Sequence, residues 1–250
     1  MSEPYVKIDI ESEVGYIEFF HPAHNSLPGD ILAKLAQTIT DAGNNDAIKV
    51  IVLKSGKDRT FCAGASFKEL VNISDEKTGS VFFSGFANVI NAMRKCPKFI
   101  IGRIQGKTVG GGVGLAASTD YCMASKFASI KLSELNIGIG PFVVGPAIER
   151  KIGLSGMSQI AIDANSFYPA EWAKQKGLYT HVFESNEELD EAVKTTAEHL
   201  CTYNTEAMKE MKSVFWKGTE DWDSLLVERA QISGRLVLSE FTKEKLKGFK

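Results

Sequence analysis

The chain has 250 residues, 44% hydrophobic and 24% charged, with a formal net charge of -2. That length and balance mark a globular protein, long enough to bury a substantial core as one large domain or one and a half. Lysine, arginine, aspartate and glutamate are interspersed, so no basic field favours nucleic acid, and nucleic-acid binding is set aside.

In chain order, apolar runs over residues 5–10 and 14–20 predict an opening hairpin, followed by a helix over 30–44. KVIVLK, residues 49–54, predicts a buried strand; FCAGAS makes a turn; a helix over 80–95 and a strand over 99–104 follow. The alternation continues with a helix over 111–118 and strands over 120–124 and 128–132. This rhythm predicts βαβ units and a mostly parallel sheet. After Pro146 helical patterns dominate, over 146–152, 155–164, 169–176, 186–200, 205–216 and 221–238. A sheet-based core over 1–185 and a helical region over 186–250 are expected, with residues 242–250 a cationic, solvated tail.

The N-terminal stretch lacks the basic start and unbroken apolar run of a signal peptide, and no later stretch reaches membrane-spanning length without charges. A cytoplasmic protein with no membrane partner is expected. Cys62, Cys96, Cys122 and Cys201 form no CxxC pair, and the four histidines show no ligand spacing with them. Reduced, mostly buried thiols and no metal site are expected.

Three segments can carry chemistry. Phe61-Cys62-Ala63-Gly64-Ala65-Ser66 lies between a strand and a helix, where small residues let a ligand approach backbone N–H groups. Gly110-Gly111-Gly112-Val113-Gly114 repeats that arrangement. It also matches a relaxed dinucleotide fingerprint with Glu134 downstream, although its glycines are contiguous and lie mid-chain. The third segment, residues 131–142, sets Glu134 in an apolar run, where burial would raise its pKa toward the range useful for acid/base work. The bland alternative is a carboxylate that caps a turn or pairs with an arginine. Two turns with free N–H groups can bind an oxyanion, and one carboxylate can move the proton that a thioester enolate requires.

FCAGAS, IQGKTVGGGVGLAASTDYCMAS and ASIKLSELNIGIGPF, in this order and spacing, resemble the crotonase (enoyl-CoA hydratase/isomerase) superfamily across nearly the whole chain. The resemblance implies an α/β fold, a spiral of ββα repeats, with a helical C-terminal region that builds a homotrimer or a dimer of trimers. It implies an acyl-CoA ligand and no separate cofactor, coenzyme A being part of the substrate. By the same resemblance the N–H groups of Ala65 and Gly111 are the oxyanion donors and Glu134 the acid/base. Ala63, Gly64, Lys68, Gly110, Gly114 and Phe142 would contact substrate, and His21 and His24 lie near the path of coenzyme A.

Two departures stand out. Gly114 stands where short-chain hydratases carry a second glutamate, and Ser66 replaces the usual aspartate. A dehalogenase relative would place its nucleophile at Phe142 and its histidine at Gly85, so dehalogenation is excluded. Hydration or dehydration of an enoyl-CoA is the leading expectation. The pattern SELxxGIGPxxxxPAxxRKIG resembles hydratases acting on 3-methylglutaconyl-CoA. Δ3-Δ2 isomerisation by the same glutamate comes second, and acyl-CoA binding without turnover third. Trp216 and Trp222 are assigned to packing.

Overall fold

The computed structural model describes residues 3–57 and 59–247. Strands β1 (Tyr5–Glu11) and β2 (Val14–Phe20) form an antiparallel hairpin. Its two-residue turn, Ser12 and Glu13, takes φ of 47° and 66°, the sense that matches strand twist. β3 (Ser26–Leu27) and α1 (Gly29–Asn44) complete the first turn of a spiral. The second holds β4 (Val50–Ser55), β5 (Thr60–Cys62), β6 (Gly64–Ala65), α2 (Phe67–Leu70) and α3 (Glu76–Lys95). The third holds β7 (Ile100–Ile104), β8 (Lys107–Val109) and α4 (Gly111–Ala117); the fourth holds β9 (Tyr121–Ser125), β10 (Ile130–Lys131) and a 3-10 turn, Glu134–Ile137. Then come α5 (Gly145–Ile162), α6 (Ala170–Gln175), β11 (His181–Phe183), α7 (Asn186–Cys201), α8 (Thr205–Phe215), α9 (Trp222–Leu236) and α10 (Glu240–Lys247).

The first turn sends β1 and β2, and each later turn one strand, into a sheet of order β1-β2-β4-β7-β9-β11 that β11 completes and that is parallel after the hairpin; the shorter strands form a second layer. In that layer β10, β8 and β5 run parallel, as do β3 and β6. The α/β spiral of ββα repeats is therefore the fold observed. β7 is buried throughout because helices cover both faces of the sheet, and its one charged residue, Arg103, pairs with Asp190 of α7 at 2.7 Å. One face packs on α1 and α3; α7 covers the other, with Leu189, Val193 and Ala197 against Val14, Val50 and Ile101.

The short strands β3, β5, β6, β8 and β11 escape the sequence reading because two or three residues show no period. α3 starts earlier than residue 80, since the Asp75 carboxylate accepts the Thr78 N–H at 2.8 Å and caps the helix there. The two helices expected over 146–164 form α5, broken at Gly153, where φ is 70°. The solvated tail is a correction. Residues 240–247 form α10, which buries Thr242 completely and Leu246 nearly so, because the 3-10 turn offers an apolar seat. Residues 248–250 lie outside the described residues.

Trp216 and Trp222 are core residues, with ring centroids 5.9 Å apart at 86°. The Trp216 indole donates to Asp120 at 2.8 Å, and the buried Lys212 ammonium reaches the same carboxylate at 2.8 Å and the Lys98 carbonyl at 2.7 Å. This pins α8 to the end of the sheet. The four cysteines are free and buried. Among the described residues no helix is long and apolar enough to cross a membrane, and no cluster of His, Cys, Asp or Glu could hold a metal ion.

Candidate active site

Sheet register brings the three segments together. β10 lies beside β8, with Lys131 opposite Val109, and the Gly110 N–H donates to the Lys131 carbonyl at 2.9 Å. Three residues further on, the Glu134 carboxyl lies over the Cα of Gly110, where a Cβ would stand 2.9 Å from Oε1. Gly110 also has φ 53°, so both its conformation and its neighbour require glycine.

The first turn meets the second just as closely. Gly64, at φ 92°, would place a Cβ 3.2 Å from the Val109 carbonyl and 3.6 Å from the Gly111 nitrogen. Ala65, the next residue, thus stands beside Gly111, which opens α4 where a helix N–H has no intrahelical acceptor. Around Ala65 the flanking N–H groups are spent: Ala63 on the Asn25 carbonyl at 3.3 Å and Ser66 on the Leu27 carbonyl at 3.0 Å. Ser26 donates to the Ala65 carbonyl at 2.8 Å and holds the turn flat against β3. Ser66 is the N-cap of α2, accepting from the Glu69 N–H.

Glu134 is half-buried as a residue, yet its Oε2 is sealed from solvent and has no hydrogen-bond partner. Burial raises its pKa from 4.5 to about 7, against a smaller opposing pull from the backbone N–H groups of Glu134 and Ser133. No arginine pairs with it among the described residues. A buried carboxyl oxygen without a partner is rare in a folded chain and marks a group kept for something else.

The three segments line one cavity, to which Ala63, Gly64, Ala65, Gly110, Gly111 and Glu134 all contribute. Phe142 lines it as well. Two of the expected residues lie off this cavity. Lys68 is exposed on α2 and is not part of the wall, because that short helix turns its outer face to solvent. Gly114 is buried behind the wall, and Val144 covers it and lines the cavity in its place.

Sequence reading missed the remaining wall. Phe82, Phe83 and Phe86 from α3, Leu70 from α2 and Ile139 complete it, and Ser233 reaches it from α9. The FFSGF run in α3 was a visible aromatic signal, but its direction depends on how α3 crosses α4. The Phe86 ring lies on Gly111, where a Cβ would come within 2.3 Å of the ring. Gly112 is pressed on the Cys62 carbonyl in the same way, at 2.6 Å. The glycine run therefore has a packing role at each step, besides leaving backbone accessible at Gly111.

His21 and His24 line a separate small cavity with Lys57 and Arg59. Asn25, buried there with φ 55°, shapes the loop by donating to the Gly56 and Thr60 carbonyls at 2.9 Å each. Its own carbonyl is the acceptor for Ala63, which joins this loop to the first turn.

Comparison with known proteins agrees with the geometry. The family model described as enoyl-CoA hydratase/isomerase matches residues 9–248. The peroxisomal Δ(3,5)-Δ(2,4)-dienoyl-CoA isomerase of Arabidopsis thaliana is 29% identical over 231 residues, covering 86% of this chain and 81% of that protein. Human mitochondrial methylglutaconyl-CoA hydratase is 32% identical over 169 residues, covering 67% of this chain and 49% of that protein. In structure, an enoyl-CoA hydratase from Bacillus halodurans superposes with a TM-score of 0.90 at 21% identity, over 98% of this chain and 99% of that one. The chain belongs to the enoyl-CoA hydratase/isomerase family.

Proposed function

We propose that the chain is an enoyl-CoA isomerase in which Glu134 alone shuttles a proton between the carbons flanking a displaced double bond. One observation carries this reading: among the described residues, Glu134 is the sole ionisable side chain on an otherwise largely apolar wall, with Val144 filling the space over Gly114. Hydration needs a water held and activated while a proton is delivered to carbon, which suits a second polar group. A proton shuttle needs one base and no water.

In the step proposed, the Glu134 carboxylate takes a proton from C2 of a 3-enoyl thioester. The electron pair moves onto the thioester oxygen, which the N–H groups of Ala65 and Gly111 receive as a dienolate. Protonated Glu134 then delivers the same proton to C4, and the double bond settles between C2 and C3. Each oxyanion donor is worth about 3 kcal/mol of transition-state stabilisation. A pKa of about 7 lets one carboxyl both accept and return the proton near neutral pH. No separate cofactor is needed. Lys57 and Arg59, which share a small cavity with His21 and His24 and are joined to the site through Asn25, supply cationic charge suited to the phosphates of coenzyme A.

Hydration or dehydration through the same enolate is the second reading. It is favoured by the similarity to methylglutaconyl-CoA hydratase and by 30% identity over 151 residues to a Bacillus subtilis protein named as a dehydratase of bacillaene synthesis. The two separate in one assay. With 3-hexenoyl-CoA, an isomerase makes conjugated thioester absorbance appear; with crotonyl-CoA, a hydratase makes it disappear. Rapid loss of crotonyl-CoA absorbance with 3-hexenoyl-CoA untouched would overturn isomerisation.

A further inference from the structure

Resting on the acyl-CoA reading above, we propose that the acyl tail bound in this cavity is short, apolar and uncharged, and that a carboxylate at the tail's end is rejected. The side-chain wall is largely apolar, with Phe82, Phe83, Phe86, Leu70, Ile139 and Phe142 among its members. Besides Glu134, its polar side chains are Ser133 and Ser233, and the Ser233 hydroxyl is already engaged with the Arg229 carbonyl at 3.3 Å. Among the described residues no lysine, arginine or histidine lines the cavity. Lys68 is exposed on α2, and Arg94, 3.2 Å from the Asp223 carboxylate, is not part of the wall.

A second carboxylate entering this space would lose its hydration and gain no partner. It would also share the cavity with Glu134, and two anions in one apolar site cannot both stay ionised cheaply. Glu134 would then be driven toward its protonated form, in which it cannot act as a base.

Length is limited by what stands behind the wall. The free space is about 90 Å³, room for a handful of carbon atoms. Leu70 and Ile139 pack outward on Val237 and Leu246, so a longer tail meets the packed helices α9 and α10 rather than solvent. Interior packing of this kind does not open without cost.

The experiment compares two near-isosteres that differ in the terminal group. With 3-methylpent-2-enoyl-CoA and 3-methylglutaconyl-CoA as substrates, hydration and double-bond movement are both followed by product analysis. The uncharged thioester is expected to have a kcat/KM at least about a hundredfold higher. In parallel, calorimetry measures binding of the saturated pair, 3-methylvaleryl-CoA and 3-methylglutaryl-CoA, with the uncharged member expected at least tenfold tighter. Equal or better turnover or binding of the dicarboxylic member overturns the inference. If neither substrate reacts while the saturated pair still differs, the tail preference stands, and the reaction assigned above falls only if 3-hexenoyl-CoA is left untouched as well. If neither saturated thioester binds, both fall.

Discussion

Val144 stands on the Cα of Gly114, where a Cβ would lie 2.5 Å from its Cγ1 and 2.7 Å from its Cβ. Within a helix, alanine ordinarily outperforms glycine by about 1 kcal/mol. Here Gly114→Ala is expected to destabilise by roughly 1–3 kcal/mol instead, because the added methyl has to displace a buried β-branched side chain. Urea unfolding of the two proteins checks the sign. The double variant Gly114→Glu, Val144→Gly removes the obstacle and places a second carboxyl beside Glu134. It is expected to gain at least tenfold in hydration of crotonyl-CoA, and no gain would show that the missing carboxylate is not what limits that reaction.

Glu134→Gln is expected to lower turnover of any accepted enoyl-CoA by about a hundredfold or more, the scale of a general acid/base contribution. In the parent, kcat/KM should rise with pH through about 7, since the base form is the carboxylate. A flat pH profile in that range would contradict the role.

The same carboxyl couples stability to pH, with a definite sign. Its pKa is raised on folding, so between 4.5 and about 7 the native state holds a proton that the unfolded chain has released. Stability therefore falls as pH rises through that window. Glu134→Gln removes the dependence and is expected to be the more stable protein at pH 8, by roughly 1–3 kcal/mol, with the difference shrinking below pH 4.5. Thermal unfolding at pH 4 and pH 8 measures it.

Gly110→Ala and Gly112→Ala should fail differently. At 110 the new methyl meets the Glu134 carboxyl, a side-chain end that can move, while φ of 53° adds strain. Loss of kcat with folded protein retained is expected. At 112 the methyl meets the Cys62 backbone carbonyl at 2.6 Å, which cannot yield, so loss of folded protein is expected. Circular dichroism and kinetics of the pair separate the two.

Lys212 and Asp120, with side chains 2% and 5% exposed, form the buried ion pair that ties α8 to the sheet. Asp120→Ala strands the ammonium among apolar neighbours and should cost about 3–5 kcal/mol. Replacing both, Asp120→Ala with Lys212→Met, should recover part of that loss in chemical denaturation, because no uncompensated charge is then left buried.

What could be read along the chain followed from local chemistry. Apolar runs marked the strands buried on both faces, periodicity marked most helices, and small residues after KVIVLK and before GLAAS marked the turns where backbone is approachable. Glu134 could be singled out as a carboxylate in an apolar run, since desolvation acts on it wherever its neighbours fold over it. The two-residue strands, the seat of α10 and the aromatic wall from α3 had no comparable signal, because each exists only through partners far away in the chain.

The sequence by itself determined the order of elements, the α/β alternation, the two small-residue turns and the choice of carboxylate, all set by residue type and spacing. Only the tertiary structure decided that the Lys131 carbonyl accepts the Gly110 N–H, which delivers Glu134 to the second turn. It alone decided that Val144 seals Gly114, and that Phe82, Phe83 and Phe86 close the cavity. Spacing fixes which side chains share a face of one element; which faces meet is fixed by close packing between elements, and packing has no period to read.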